Sequence, residues 1–346
     1  MPGPGGGPGV SLPAVWAFGQ VRWVDHPIGT THDLAPNPEH PTNDESNWTY
    51  GPWRTGGPGG GRVATATHTD VGRQRIVLPG AGAPGGVAHA TAYDYTGAGA
   101  TCQPSAWHQD GIDEVVDVAC FDRSGGPADV PVDVLFLAGT PAGGARGFVH
   151  AARPAASSYT PGAPDASNTG QVRRTGTGRY TVAVPSGATA VQVSPVAGAA
   201  RYCAVAGVAG GAASVVCTGP GGAAQDTAFV LSHTGRESLL GDPRVPYGAF
   251  LTGAGTSGPG DWWAGKPGAV TVDRTGAGRY TVRLPVGQLP SYTHVTGRGP
   301  GHCGLVLRND YGTKDAVVLH VACFAAAGAP ADAAFDLTYA TASPYE

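Results

Sequence analysis

The stretch that decides the fold is Gly178-Arg179-Tyr180-Thr181-Val182-Ala183-Val184-Pro185, which returns 100 residues later as Gly278-Arg279-Tyr280-Thr281-Val282-Arg283-Leu284-Pro285. A more diverged copy stands 106 residues upstream: Gly72-Arg73-Gln74-Arg75-Ile76-Val77-Leu78-Pro79. A Thr-Gly-x-Gly step leads into the two closer copies, at Thr175 and Thr275. Glycine turns the chain, the residues after it favour an extended strand, and proline, which cannot donate to a β-ladder, closes it. A second marker keeps the same register. An Asp follows nine residues after Cys120, Cys217 and Cys323, at Asp129, Asp226 and Asp332. Large residues then alternate: Val132, Val134 and Phe136; Phe229, Leu231 and His233; Phe335, Leu337 and Tyr339. Period two is the mark of a half-buried strand.

These markers cut the chain into three repeats of domain size, too long for solenoid units. The predicted organisation is a Gly/Pro-rich leader over 1–14, a β module over 15–140 with a Trp/His-rich insertion, a second over 146–234 and a third over 238–346. In the second, the runs 147–151, 171–174, 179–185, 188–194, 201–206, 213–218 and 227–233 read as seven short strands. That spacing predicts an antiparallel sandwich, immunoglobulin-like or jelly-roll-like. The expected fold is therefore all-β: three tandem antiparallel β-sandwich modules. The sequence leaves open whether they string out as beads or close about a pseudo-threefold axis.

Composition narrows the classes. The chain holds 57 Gly and 31 Pro in 346 residues, yet 41% of it is hydrophobic and only 13% charged, against a usual ~25% charged. So much apolar surface can form a core, which argues against wholesale disorder. The glycines have no period of three, which excludes collagen. No apolar run reaches the ~18 residues of a membrane span. The net charge is −4 and the 21 Lys and Arg are scattered, so no basic face for nucleic acid is expected. The stretch Met1–Val10 has neither the basic nor the apolar region of a signal peptide.

The six cysteines fall in pairs, Cys102 and Cys120, Cys203 and Cys217, Cys303 and Cys323, centred on residues 111, 210 and 313. Each centre lies in or beside a turn-like run: Gln109 to Ile112, Gly207 to Gly211, and Asn309 to Thr313. Residues that face each other across a hairpin share a constant index sum, so each pair is predicted to lie opposite itself and form a disulfide. Three such bonds imply an oxidising compartment, hence an extracellular or cell-surface location.

Repetition also sorts the candidate site residues. Features in all three repeats are best explained by the fold, so Asp129, Asp226 and Asp332 are expected to close Asx-turns in their own loops. Tyr180 and Tyr280 read as packing residues. Unshared residues are where function is sought. Trp48, Tyr50 and Trp53, with Trp16 and Trp23, lie in or near the first insertion, and Asp261-Trp262-Trp263 stands near the corresponding place in the third repeat. Indoles in Gly/Pro-rich loops suit a platform for sugar rings, with acids and amides holding hydroxyls. They equally suit plugs at a sheet end or between modules. His26, His32, Asp33 and His40 form a weak candidate metal set, their spacing unlike a helical zinc motif. Asn47-Trp48-Thr49 fits a glycosylation sequon. No nucleophile elbow or phosphate loop is present, and no cofactor is expected.

The run Gly-Arg-Tyr-Thr-Val-x-hydrophobic-Pro is followed by paired cysteines. With Cys323-Phe324 leading to Asp332 and Cys120-Phe121 to Asp129, it resembles tandem β-repeats in uncharacterised proteins of actinomycete-type bacteria. The resemblance covers about residues 20–340. It implies an all-β, exported protein and brings no catalytic residue with it. The second repeat departs from the pattern at Thr218 to Gly222. The expected function is a non-enzymatic extracellular binding or structural protein, with Trp-bearing loops of modules one and three contacting glycan or a surface protein. The alternatives are an enzyme or metal site in the first insertion, and a self-associating surface or fibre component.

Overall fold

The computed structural model describes residues 14–22, 24–34, 49–139, 145–168, 170–240, 248–286, 291–299, 301–313 and 316–341, with the backbone alone for 307–313. The expected leader therefore lies outside the described residues except for Ala14. So do Trp23, His40, Asn47 and Trp48.

Among the described residues the chain is all-β, 55% strand, with no α-helix. The first repeat contributes β1 (Val15–Val21), β2 (Thr31–Asp33), β3 (Thr65–Asp70), β4 (Arg73–Leu78), β5 (Val87–Ala92), β6 (Thr101–Asp110), β7 (Asp113–Phe121) and β8 (Val132–Ala138). The second contributes β9 (Gly147–Ala151), β10 (Ser158–Tyr159), β11 (Ala166–Ser167), β12 (Val172–Gly176), β13 (Arg179–Ala183), β14 (Ala190–Pro195), β15 (Tyr202–Ala209), β16 (Ala212–Thr218) and β17 (Phe229–Thr234). The third contributes β18 (Gly248–Ala254), β19 (Asp261–Ala264), β20 (Thr271–Gly276), β21 (Arg279–Leu284), β22 (Ser291–Gly297), β23 (His302–Thr313), β24 (Ala316–Phe324) and β25 (Phe335–Thr341). The seven runs predicted in the second repeat match β9, β12, β13, β14, β15, β16 and β17 to within a few residues.

The strands form six sheets, each drawn from one repeat and antiparallel throughout its named ladders. One set has the orders β2-β3-β4-β7-β6, β10-β12-β13-β16-β15 and β20-β21-β24-β23; the other has β1-β8-β5, β11-β9-β17-β14 and β19-β18-β25-β22. Within each repeat a hydrophobic cluster joins one sheet of each set. Ile76 and Val118 meet Val132 and Phe136, Tyr180 and Val215 meet Phe229 and Leu231, and Tyr280 and Val321 meet Phe335 and Leu337. Full burial of each aromatic contributes about 2–3 kcal/mol.

The two sets differ in what covers their second face. In the first set β4 and β13 alternate buried and open residues, as a one-sided sheet should. In the second set β5, β8, β17, β22 and β25 are buried at every residue. This corrects the half-buried expectation for the alternating strand after each Asp. A fourth cluster explains the difference. Phe18, Leu135 and Leu137 of the first repeat meet Phe148 and Val230 of the second and Tyr292 and Ala340 of the third.

The cysteine pairs face each other across β6/β7, β15/β16 and β23/β24 and are disulfide-bonded, with Cα atoms 4.1, 4.1 and 4.0 Å apart. A bulge follows the first cysteine of every pair, between Pro104 and Ala106, Val205 and Gly207, and Leu305 and Leu307. The extra residue displaces the first turn to Gly111-Ile112, between paired Asp110 and Asp113, and the second to Gly210-Gly211. Further register shifts carry the third past the predicted Asn309–Thr313 run, so that Thr313 pairs with Ala316.

The repeated Asp does not close a turn in its own loop. It reaches across to the Gly that opens the repeated strand: Gly72, Gly178 and Gly278 donate their N–H to Asp129, Asp226 and Asp332 at 2.6, 2.8 and 2.8 Å. The carbonyl of the same Gly accepts from Cys120, Cys217 or Cys323 N–H at 2.8, 2.7 and 2.8 Å. The residue four before each Gly also bonds the Asp, as His68, Arg174 and Arg274. Tyr180 and Tyr280 join the clasp through their hydroxyls at 3.1 and 3.5 Å, a polar role beyond packing. Each Gly has φ between 60 and 67°, and a Cβ there would meet the cysteine carbonyl at 2.3–2.5 Å. Only glycine fits.

Contacts between repeats run in one sense. The motif arginines Arg73 and Arg279 lie over Phe121 and Phe324 and donate to Gly198 O of the second repeat and Gly97 O of the first. The glycine five beyond each second cysteine abuts the residue three beyond the next repeat's second cysteine. A Cβ on Gly125 would meet Pro220, one on Gly222 would meet Ala326, and one on Gly328 would meet Arg123.

Titration of denatured, unreduced protein is expected to find no free thiol, and six would contradict the pairing. Urea denaturation of Gly278→Ala is expected to show a loss of about 2 kcal/mol or more. Gly276→Ala, where a Cβ meets nothing closer than 3.8 Å, is expected to be near neutral.

Candidate functional site

The structure assigns most of the sequence-predicted aromatics to packing. Trp53 sits in a short 3-10 turn, Pro52–Arg54, and is 6% exposed inside the first cluster, so its indole has no open face for a sugar. Tyr50 exchanges two backbone hydrogen bonds with Phe18, and its ring stacks on Trp16 at 5.8 Å, against the fourth cluster. Asp261, Trp262 and Trp263 form a strand, β19, where a loop was expected. Trp262 packs on the third cluster, Trp263 stacks on Phe250 at 6.1 Å, and Asp261 pairs at 2.9 Å with Arg236, in the segment between the second and third modules. The sequence aligns Trp262-Trp263 with Trp53, but the register aligns Trp263 with Tyr50. Each lies beside the equivalent phenylalanine of the repeat's first strand, Phe250 or Phe18.

Of the candidate metal set, His26 and His32 lie with ring centroids 4.2 Å apart. Burial first, and the neighbouring His26 second, lower the His32 pKa to about 4, against an opposing pull from Asp33. Among the described residues no group of three or more His, Cys, Asp or Glu could hold a metal ion.

Two sites escaped the sequence. One is a cleft of ≈ 390 Å³ between the first and second repeats, lined by Gly85, Ser105, Trp107, His108, His150 and Asp165 among others. Trp107 follows the bulge of β6, and its indole stands 4.7 Å from the His150 imidazole of β9. Burial lowers the His150 pKa, with a smaller opposing effect from Asp165, so a neutral ring offers one donor and one acceptor. The junction beneath is fastened by buried Gln103. Its amide donates to Ala197 and Ala199 carbonyls at 2.7 and 2.9 Å and accepts from Arg201 N–H at 3.1 Å. An indole wall, an imidazole and an exposed carboxylate on a fixed frame are the parts with which a cleft of this size grips a polar ring.

The other lies where β5, β14 and β22 meet. His89, Gln192 and His294 occupy one equivalent position, opposite Leu135, Ser232 and Thr338. Thr91, Ser194 and Thr296 stand two residues on. His89 bonds Ser194 and Ser232 hydroxyls at 3.0 and 2.8 Å; His294 Nδ1 faces Thr91 at 2.5 Å and Tyr292 at 3.0 Å. His294 Nε2 lies 3.2 Å from the Val193 carbonyl, which can only accept, so that nitrogen carries the proton. Gln192 is buried with neither amide atom bonded. Burial lowers the His89 pKa well below its usual value and that of His294 to about 4. No motif marks either site, because each is assembled from strands of different repeats.

Comparison with protein-family models, curated proteins and solved structures finds no match to this chain.

Histidines in the unfolded chain titrate near 6.5, whereas His294 in the fold titrates at about 4. Between those values the unfolded state binds more protons, so stability is held above pH 6.5 and lost as pH falls toward 4. Thermal melts are expected to show Tm declining from pH 7 to 5. The double change His89→Gln and His294→Gln, which installs the residue found at Gln192, is expected to weaken that decline. An unchanged slope would place the proton uptake elsewhere.

Proposed function

We propose that this chain is a non-enzymatic extracellular or cell-surface binding protein that holds a glycan in the cleft at Trp107. In this reading the three sandwich modules, 15–140, 146–234 and 238–346, close into a ring about a pseudo-threefold axis. Three sets of equivalent contacts support a ring over beads. The closing-loop glycines touch from first repeat to second, second to third, and third to first. The motif arginines follow the same direction, Arg73 toward the second repeat and Arg279 toward the first; His89 meets the second repeat, and His294 meets the first and, through Val193, the second. Three disulfides fit an oxidising, extracellular setting.

The observation that carries the binding reading is the half-buried Trp107 indole beside His150, walling a concave space with an exposed carboxylate at its edge. At ≈ 390 Å³ the cleft is at the small end of ligand pockets, suited to one or two sugar rings rather than a protein face.

A glycan array probed with the full, oxidised chain is expected to return binders whose affinity falls about tenfold or more in Trp107→Ala. Binding that survives that change but is lost in Trp262→Ala or Trp263→Ala would move the site to β19. No binding to any glycan would count against the reading.

A further inference from the structure

A second, smaller cavity opens where the three disulfide hairpins approach one another. Its volume is ≈ 60 Å³, and Thr101, Arg201, Tyr202 and His302 line it beside the first cysteines, Cys102, Cys203 and Cys303. The residue before the first cysteine of each repeat is thus present three times: Thr101, Tyr202 and His302. All three carry a buried polar atom with no partner, Thr101 Oγ1, Tyr202 Oη and His302 Nδ1. Buried polar atoms are rarely left so. All three residues line one cavity, and a common occupant there would satisfy them.

The protonation of these groups fixes what the occupant must offer. The other His302 nitrogen, Nε2, lies 3.2 Å from the Gly99 carbonyl and must donate to it. Burial keeps the ring neutral, so Nδ1 holds a lone pair and calls for a donor. Burial also raises the Tyr202 pKa, so its hydroxyl remains a donor. The Tyr202 ring stacks on His302 at 4.6 Å, which holds both in place. Arg201 adds a positive charge. Its side chain donates to the Ala200 carbonyl at 2.6 Å, and no acidic residue lines the cavity. Asp122 acts on Tyr202 from outside, with its carboxylate tied by Ser124 and by the Gly126 N–H.

We propose that this cavity binds a small hydroxy-carboxylate, its carboxylate on Arg201 and the Tyr202 and Thr101 hydroxyls, and its own hydroxyl donating to His302 Nδ1. Size supports that class. A cavity of ≈ 60 Å³ suits a compact molecule such as glycolate, with about five non-hydrogen atoms. The site is separate from the Trp107 cleft, and either can fail without the other.

The test is calorimetric titration of the oxidised full chain with glycolate, acetate and ethylene glycol, up to about 50 mM, far above the micromolar limit five heavy atoms allow. Glycolate is expected to saturate one site. Acetate, lacking the hydroxyl, should bind about fivefold more weakly, and ethylene glycol, lacking the charge, about tenfold or more. Tyr202→Phe removes only the hydroxyl and keeps the stack, and should cost about fivefold; Arg201→Gln should cost about tenfold or more. The ¹⁵N signal of His302 Nδ1 should move on saturation in the unaltered protein, a readout that stands even if Arg201→Gln fails to fold. No saturation by glycolate, equal affinity for the three probes, or undiminished binding in Tyr202→Phe would overturn the proposal.

Discussion

The structure depends on a clasp made three times: an Asp carboxylate receives the N–H of a left-handed glycine whose carbonyl receives the N–H of a disulfide cysteine. Three parts far apart in sequence are joined at that point. The glycine turns the chain into the repeated strand, the cysteine ends the hairpin beside it, and the Asp stands before the next strand of the opposite sheet. A buried backbone donor left without such an acceptor costs as much as a lost hydrogen bond. The arrangement is held by satisfaction of polar groups rather than by charge. Arg174 and Arg274 add ion pairs to the Asp, but those are partly exposed and screened by water.

From the clasp follows the division of labour between sheets. One sheet of each repeat meets water and keeps the alternation its sequence shows. The other is covered on both faces, by its own core and by the neighbouring repeats, and so must bury polar side chains. These are paired where the structure allows: Gln20 with Asp133, Arg298 with Asp336, His89 with Ser194, His294 with Thr91. Apolar contact is non-directional, but the two histidine bonds cross between repeats and are satisfied only in one rotational setting. They therefore select the packing as well as stabilising it.

The candidate site was far less legible than the fold. Trp53 and Trp263 look alike in sequence, as indoles in Gly/Pro-rich surroundings, yet one is enclosed in a core and the other leans on Phe250 from an edge strand. Trp107 drew no notice because it sits within an ordinary hairpin strand. Its importance comes from His150 and Asp165, which belong to another repeat. The motif arginines carried no chemistry as sequence, and their task appears only when Arg73 and Arg279 are seen to reach a neighbouring loop. Thr101, Tyr202 and His302 share a position but differ in chemistry, and nothing in the sequence shows that they line one cavity.

The sequence by itself determined the strand repeats, the pairing of the six cysteines and the all-β class. Those features rest on local rules: turn residues, period two and the constant index sum of a hairpin. Tertiary structure alone decided which second faces are buried, where each Asp spends its hydrogen bonds and which side chains from different repeats converge. Those outcomes depend on the rotation of one sheet against another, and no residue spacing along the chain encodes that angle.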